Sequence, residues 1–122
     1  MICVIIPSHN QEKHILDIIK GYEEQHIKPN VVLFVLDRCS DNSKNILDNI
    51  ISNLNIRYIE KDFGDNFSAG MTRDFGVDYI QHNYNYEMIV FTDGDCVPSK
   101  NLIREHLDNI NKNWQQFFAF DN

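Results

Sequence analysis

Asp93-Gly94-Asp95 sets two carboxylates one residue apart around a glycine. Carboxylate oxygens are hard donors, and a pair on a tight turn can present them to one divalent cation of the Mg²⁺ or Mn²⁺ type, with Gly94 letting the backbone come close. An Asp-x-Asp on a loop is often only a solvated turn, so its setting matters. It directly follows Met88-Ile89-Val90-Phe91-Thr92, a run with the composition of a buried strand. Two further apolar runs end in polar clusters of the same kind. Pro7-Ser8-His9-Asn10 follows residues 2–6, and Asp37-Arg38-Cys39-Ser40-Asp41 follows residues 31–36. Arg73 stands on a helical stretch ahead of the Asp-x-Asp run. His14, His26, His82 and His106 have no spacing partner and are expected to be structural or surface residues. Cys39 and Cys96 lie beside the polar clusters without a base nearby in sequence, so packing is their expected role.

Positioning these groups requires strands that end side by side, and the periodicity supplies them. Short β-branched runs alternate with stretches of helical spacing, the pattern of a parallel α/β sheet. Strands are expected at 2–6, 31–36, 57–60 and 88–92, with a fifth beginning at Phe117-Phe118-Ala119-Phe120, and 57–60 nearer the edge because it alternates. The spacing of Ile15, Ile18, Ile19 and Tyr22 predicts a helix over 11–26, with Asn10 as its N-cap. Ile46, Leu47, Ile50, Ile51 and Leu54 predict a second helix that runs to residue 54. A loop is expected at 61–68, then a third helix over 69–81 with Met71, Phe75, Tyr79 and Ile80 inward. Leu102, Ile103, His106, Leu107 and Ile110 set the face of a fourth, beginning near Ser99. The fold class is therefore α/β: a Rossmann-like, mostly parallel sheet of four to five strands with helices on both faces. In such a sheet ligands bind beyond the carboxyl ends of the strands, where all three polar clusters fall.

Length and charge bound the function. A chain of 122 residues holds one core of this size and no second full domain. Eighteen acidic residues against eleven basic ones, net charge −7, exclude non-specific binding to nucleic acid or anionic lipid, which needs a positive field. An anionic ligand must be held locally, and a cation on Asp93 and Asp95 would supply the positive charge. The three cysteines are scattered, with no Cys-x-x-Cys pair, which fits neither a disulfide framework nor a zinc site and suits a reducing cytoplasm. No signal peptide is expected at the N-terminus, and no run approaches the length needed to span a bilayer.

Four blocks in order carry a resemblance: Val4-Ile5-Ile6-Pro7-Ser8-His9-Asn10-Gln11-Glu12, Val35-Leu36-Asp37-Arg38-Cys39-Ser40-Asp41-Asn42-Ser43, Gly70-Met71-Thr72-Arg73-Asp74-Phe75-Gly76 and Phe91-Thr92-Asp93-Gly94-Asp95-Cys96-Val97-Pro98. Together they resemble the nucleotide-sugar-binding half of a family 2 glycosyltransferase. The resemblance implies a GT-A fold that binds a nucleoside diphosphate sugar, most often of UDP, with Mg²⁺ or Mn²⁺. It places Pro7, Ser8, His9 and Asn10 against the base and ribose. It implies that Asp37 would accept a hydrogen bond from an imide N–H of the base, with Asp41 the alternative because Arg38 follows Asp37. It likewise implies that Arg73 would lie near base and phosphates, that Asp93 would face the ribose or sugar, and that Asp95 would ligate the metal.

The same resemblance implies that residues 1–122 are a single donor-binding domain, truncated before an acceptor half that carries the general base. The acceptor is then a saccharide, lipid or protein hydroxyl, and a partner chain is one source of the missing half. The alternative is a non-catalytic nucleotide-binding or interaction module that kept the fold and lost turnover. A receiver domain is excluded by the absence of an acidic pair after the first strand. The phosphatase reading of Asp93-Gly94-Asp95 fails because that motif normally opens its chain and needs a long downstream half.

Overall fold

The computed structural model describes residues 1–62, 64, 68–112 and 118–120. Among the described residues the elements follow in the order β1 (Ile2–Ser8), α1 (Glu12–Glu23), β2 (Val31–Asp37), α2 (Ser43–Asp48), β3 (Asn55–Lys61), α3 (Ala69–Asn83), β4 (Met88–Phe91), α4 (Leu102–Lys112) and β5 (Phe118–Phe120). The strands form one sheet in the order β3-β2-β1-β4-β5, and every neighbouring pair is parallel. Of the expected fifth strand, Phe117 lies outside the described residues, as do residues 63 and 65–67 of the expected 61–68 loop.

The order explains which face each helix takes. From β1 to β3 the chain steps outward one strand at a time, with α1 and α2 on one face. To reach β4 it must travel back past β2 and β1, and a right-handed crossover that reverses direction changes face. Accordingly Ile15, Ile18, Ile19 and Tyr22 of α1 and Leu47 of α2 pack on Val4, Ile6, Val32 and Phe34. Ile80 of α3 packs on Cys3, Ile5, Leu33 and Val35 on the other face, with Phe75 and Tyr79 partly buried against them. Leu102 and Ile103 of α4 return to the α1 side.

All seven residues of β2 are buried, because it has a strand on either side and helices above and below. Each fully buried Ile, Leu or Phe contributes about 1.5–3 kcal/mol, far more than an exposed ion pair such as Lys44–Glu60 (2.9 Å). The central strands therefore act as a rigid base for the loops at their carboxyl ends.

Several local expectations differ. Helix α1 stops at Glu23, short of residue 26, where the His26 N–H leaves the helical ladder and bonds to the Lys100 carbonyl (3.0 Å) in the segment before α4. Helix α2 is six residues, Ser43–Asp48, and Ile51 is 96% exposed: the stripe read to residue 54 splits into a short helix and a turn feeding β3. Strand β3 is longer than expected and begins at Asn55. Helix α4 starts at Leu102, after a turn in which the Leu102 N–H bonds to the Ser99 carbonyl. Met71, expected inward, is 42% exposed while Thr72 is fully buried. Gly76 fixes that rotation. Its Cα lies so near the sheet that a Cβ would stand 2.8 Å from Ile5 Cγ2, so the Thr72–Gly76–Ile80 line faces inward and Met71 turns away.

Candidate functional site

The strand order reverses between β1 and β4, and the loops after those strands meet there. Register pairs Ile5 with Phe91, and the Thr92 N–H continues the ladder to the Ile5 carbonyl (3.2 Å). Gly94 then packs onto Pro7 and Ser8. A cleft of about 300 Å³ opens here, lined by Pro7, Ser8, His9, Gln11, Asp37, Thr72, Asp93, Gly94 and Asp95. The structure thus brings together Pro7, Ser8, His9, Asp37, Asp93 and Asp95 of the residues expected from sequence.

Asp37 ends the buried β2, with 1% of its surface exposed. A buried carboxylate needs partners, and Arg38 provides one. The backbone of Arg38 is left-handed (φ 47°), which folds its guanidinium back onto the neighbouring carboxylate at 3.2 Å. The His9 ring nitrogen Nδ1 lies 2.7 Å from the Asp37 carbonyl oxygen, tying the β1 loop to the end of β2.

Asn10 is placed differently from expectation. It does not cap α1; the N-cap is Gln11, without a side-chain cap bond. With a left-handed backbone (φ 51°), Asn10 instead accepts the Ser40 and Asp41 N–H groups on its side-chain oxygen at 2.8 and 3.2 Å. Asn and Asp tolerate this conformation better than most residues, and here the side chain bonds to the adjacent loop rather than lining the cleft.

Asp41 also faces away from the cleft. Its carboxylate accepts the Glu12 N–H at the start of α1 (3.0 Å) and the Ser43 N–H at the start of α2 (3.1 Å), satisfying amides that helix starts leave unpaired. Burial pushes this carboxyl up, but hydrogen bonds from Ser43 and Glu12 outweigh it and hold the group below the ordinary aspartate range. Of the two carboxylates weighed for base reading, Asp37 is the one on the cleft wall.

Arg73, on the first turns of α3, reaches Asp93 with 3.7 Å between guanidinium nitrogen and carboxylate oxygen. Ser68 starts that helix by accepting the Met71 N–H (3.2 Å) on its hydroxyl. Asp93 and Asp95 are exposed at the cleft mouth. With Cys96 they place three donor atoms within 4.8 Å of one another, a spread that one cation can bridge. Ser8 is 3% exposed, and its hydroxyl has no hydrogen-bond partner among the described residues. It faces the Asp93–Asp95 turn, 3.1 Å from where a Gly94 Cβ would lie. A buried hydroxyl left unpaired in a cleft wall is a place for a ligand's polar group. The donor set and this hydroxyl fit a divalent cation with an oxygen-rich ligand.

Gln11 and Thr72 line the cleft but were not singled out from sequence. Each adjoins a residue that was, Asn10 and Arg73, and that adjacency was the available signal. A second cleft of about 330 Å³ lies between the ends of β2 and β3, away from the switch point. Among the described residues no helix is long and apolar enough to cross a membrane.

Comparison with known proteins agrees with this architecture. No curated protein matches the chain in sequence. Among solved structures, residues 1–349 of S. aureus TarS superpose with a TM-score of 0.72 at 21% identity, covering 91% of this chain and 32% of that one. The same TarS piece in complex with UDP-GlcNAc gives 0.73 at 20% identity, covering 91% and 31%, and in complex with UDP 0.68 at 21%, covering 91% and 32%. The chain thus spans about a third of the length of those structures, and at this identity the likeness establishes the fold. The model of the family described as glycosyl transferase family 2 matches residues 3–121, nearly end to end, and the chain belongs to that family.

Proposed function

We propose that residues 1–122 form the donor-binding unit of a glycosyltransferase and hold a nucleoside diphosphate sugar, a UDP-sugar, in the cleft at the β1–β4 switch point. The observation that carries this reading is the convergence of Asp37, Ser8 and the Asp93–Asp95 turn on one cleft at the carboxyl edge of a parallel sheet. The TarS complexes with UDP-GlcNAc and UDP support the choice of uridine.

Asp37 accepts an imide N–H of the base at the inner end, as a carboxylate, with no proton to donate, is suited to do. Pro7, Ser8 and His9 lie along the ribose, with the unpaired Ser8 hydroxyl as a hydrogen-bonding group. Asn10 acts behind them by holding the loop of Ser40 and Asp41 in place. Arg73 brings positive charge to the diphosphate and orients Asp93. Asp95, with Asp93, would hold Mg²⁺ or Mn²⁺, whose charge offsets that developing on the leaving diphosphate. Deprotonating the acceptor hydroxyl requires a general base. That base and the acceptor surface are assigned to chain outside this unit, in the same polypeptide or a partner.

Calorimetric titration of UDP, with and without Mn²⁺, tests the reading on the wild type and on Asp95→Asn. Binding is expected in the micromolar to millimolar range, dependent on the metal, and weakened about tenfold or more by the substitution. Equal binding without metal, or none, would remove the assignment.

A further inference from the structure

We propose that Cys96 is a third ligand in the Asp93–Asp95 cation site and makes that site select a thiophilic transition ion over Mg²⁺. This rests on the donor-site reading above and adds a ligand and a metal preference to it.

The turn that carries the two carboxylates also delivers the thiol. The Cys96 N–H bonds back to the Asp93 carbonyl (3.2 Å), an i to i+3 closure that sets residues 93 and 96 side by side. Cys96 Sγ lies 3.5 Å from Asp95 Oδ1. Two adjacent ligands on bonds of about 2.0–2.3 Å stand about 3.6 Å apart at a tetrahedral angle, so this pair is already spaced as neighbouring ligands. The full three-donor spread of 4.8 Å is close to twice such a bond, within reach of a side-chain rotation. Independently, the buried, unpartnered Ser8 hydroxyl faces the same turn and marks it as a place where a ligand sits.

Donor chemistry decides the ion. Two carboxylates alone suit Mg²⁺, Ca²⁺ and Mn²⁺ alike, whereas a thiolate favours softer transition ions and gives Mg²⁺ little. On coordination the S–H bond breaks, the electron pair stays on sulfur to form the metal bond, and the proton goes to bulk water. No oxidation is involved. Cys39, by contrast, donates its S–H to the Ser8 carbonyl (3.5 Å) and lies outside the donor group.

The test is titration of Co²⁺ into the full chain with UDP present, read by the near-ultraviolet sulfur-to-metal charge-transfer band, with calorimetry in parallel. Wild type and Cys39→Ser should show the band, and Cys96→Ser should lose it while keeping its circular dichroism. The preference for Co²⁺ over Mg²⁺ in supporting UDP binding should fall about tenfold in Cys96→Ser. Co²⁺ binding by calorimetry without the band in the wild type, or a band that persists in Cys96→Ser, would overturn the thiol ligand and leave the donor-site reading intact. Failure of Co²⁺, Mn²⁺ and Mg²⁺ all to bind in the presence of UDP would overturn both.

Discussion

Gly94 lies against Pro7 so closely that a Cβ on it would stand 2.9 Å from the Pro7 carbonyl oxygen. The obstacle is backbone in a central strand, which cannot rotate out of the way as a side chain could. This contact sets the distance between the β1 loop and the Asp-x-Asp turn, and hence the shape of the cleft between them.

Gly94→Ala should therefore do two things at once. Forcing the loops apart should cost about 1–3 kcal/mol, the usual range for overpacking a well-fitted site, read as a lowered urea midpoint. Metal-dependent UDP affinity should fall by about tenfold, because a displacement near 1 Å separates the groups that bind one ligand. Lost affinity at unchanged stability would mean that the turn shifts freely and that the Pro7 contact does not set the cleft.

A second contact fixes the far side of the same turn. Gln25 is 3% exposed. Its amide nitrogen donates to the carbonyls of Gly21 and Ser99, and its amide oxygen accepts the Ile103 N–H (3.1 Å) at the start of α4. Gly21 leaves room for Pro98, whose Cδ would lie 2.8 Å from a Cβ there. Gln25→Met keeps the volume and leaves the buried Ile103 N–H without its acceptor, so it should destabilise by about 1–3 kcal/mol. Gln25→Glu retains an acceptor for Ile103 but sets a buried carboxylate against the Ser99 and Gly21 carbonyls, so it should cost more than Gln25→Met at neutral pH, with the excess falling as the carboxyl protonates. Thermal unfolding of both variants measures this.

The sheet was legible in the sequence because its strands are continuous apolar runs, such as Val31 to Leu36, that only a layer covered on both faces produces. The order of the strands was not, since no local pattern states that β4 pairs with β1. The Asp93–Asp95 turn could be read because an acidic pair directly follows a buried strand. The departures from the local pattern share a cause. Spacing or propensity alone sets Met71 and Ile51 inward and Asn10 at a helix cap, whereas tertiary contacts decide all three: Gly76 against Ile5 rotates α3, the path into β3 breaks the α2 stripe, and the loop of Ser40 and Asp41 takes the Asn10 side chain. Gln25, at the end of a helix and remote in sequence from its partners, gave no signal at all.

Cys3 offers a test of the core. It is fully buried in β1, and burial pushes its thiol up to about 11, with the nearby N-terminal charge acting weakly the other way. The thiolate is the reactive species, so at pH 8 iodoacetamide should leave Cys3 unmodified in the native chain and alkylate it in urea. Peptide mass mapping reads the difference. Labelling of Cys3 at the same rate in both states would show that β1 opens readily.

Asp41 gives the pH dependence its sign. Its carboxyl is held below the ordinary aspartate value in the folded chain, so the folded state binds its proton less readily than the unfolded one. Stability from this group is fully present above the unfolded value of about 3.9 and is lost as pH falls through the lower folded value. Asp41→Asn keeps the shape and removes the charge at the starts of α1 and α2, where negative charge and a strong acceptor are favourable. The variant should be less stable by about 1 kcal/mol at pH 7, with the gap closing on acidification below about pH 4. Urea unfolding at pH 7 and at pH 3 measures both values. A gap that is the same at the two pH values would assign the effect to side-chain shape rather than to the ionised carboxylate that receives the Glu12 and Ser43 amides.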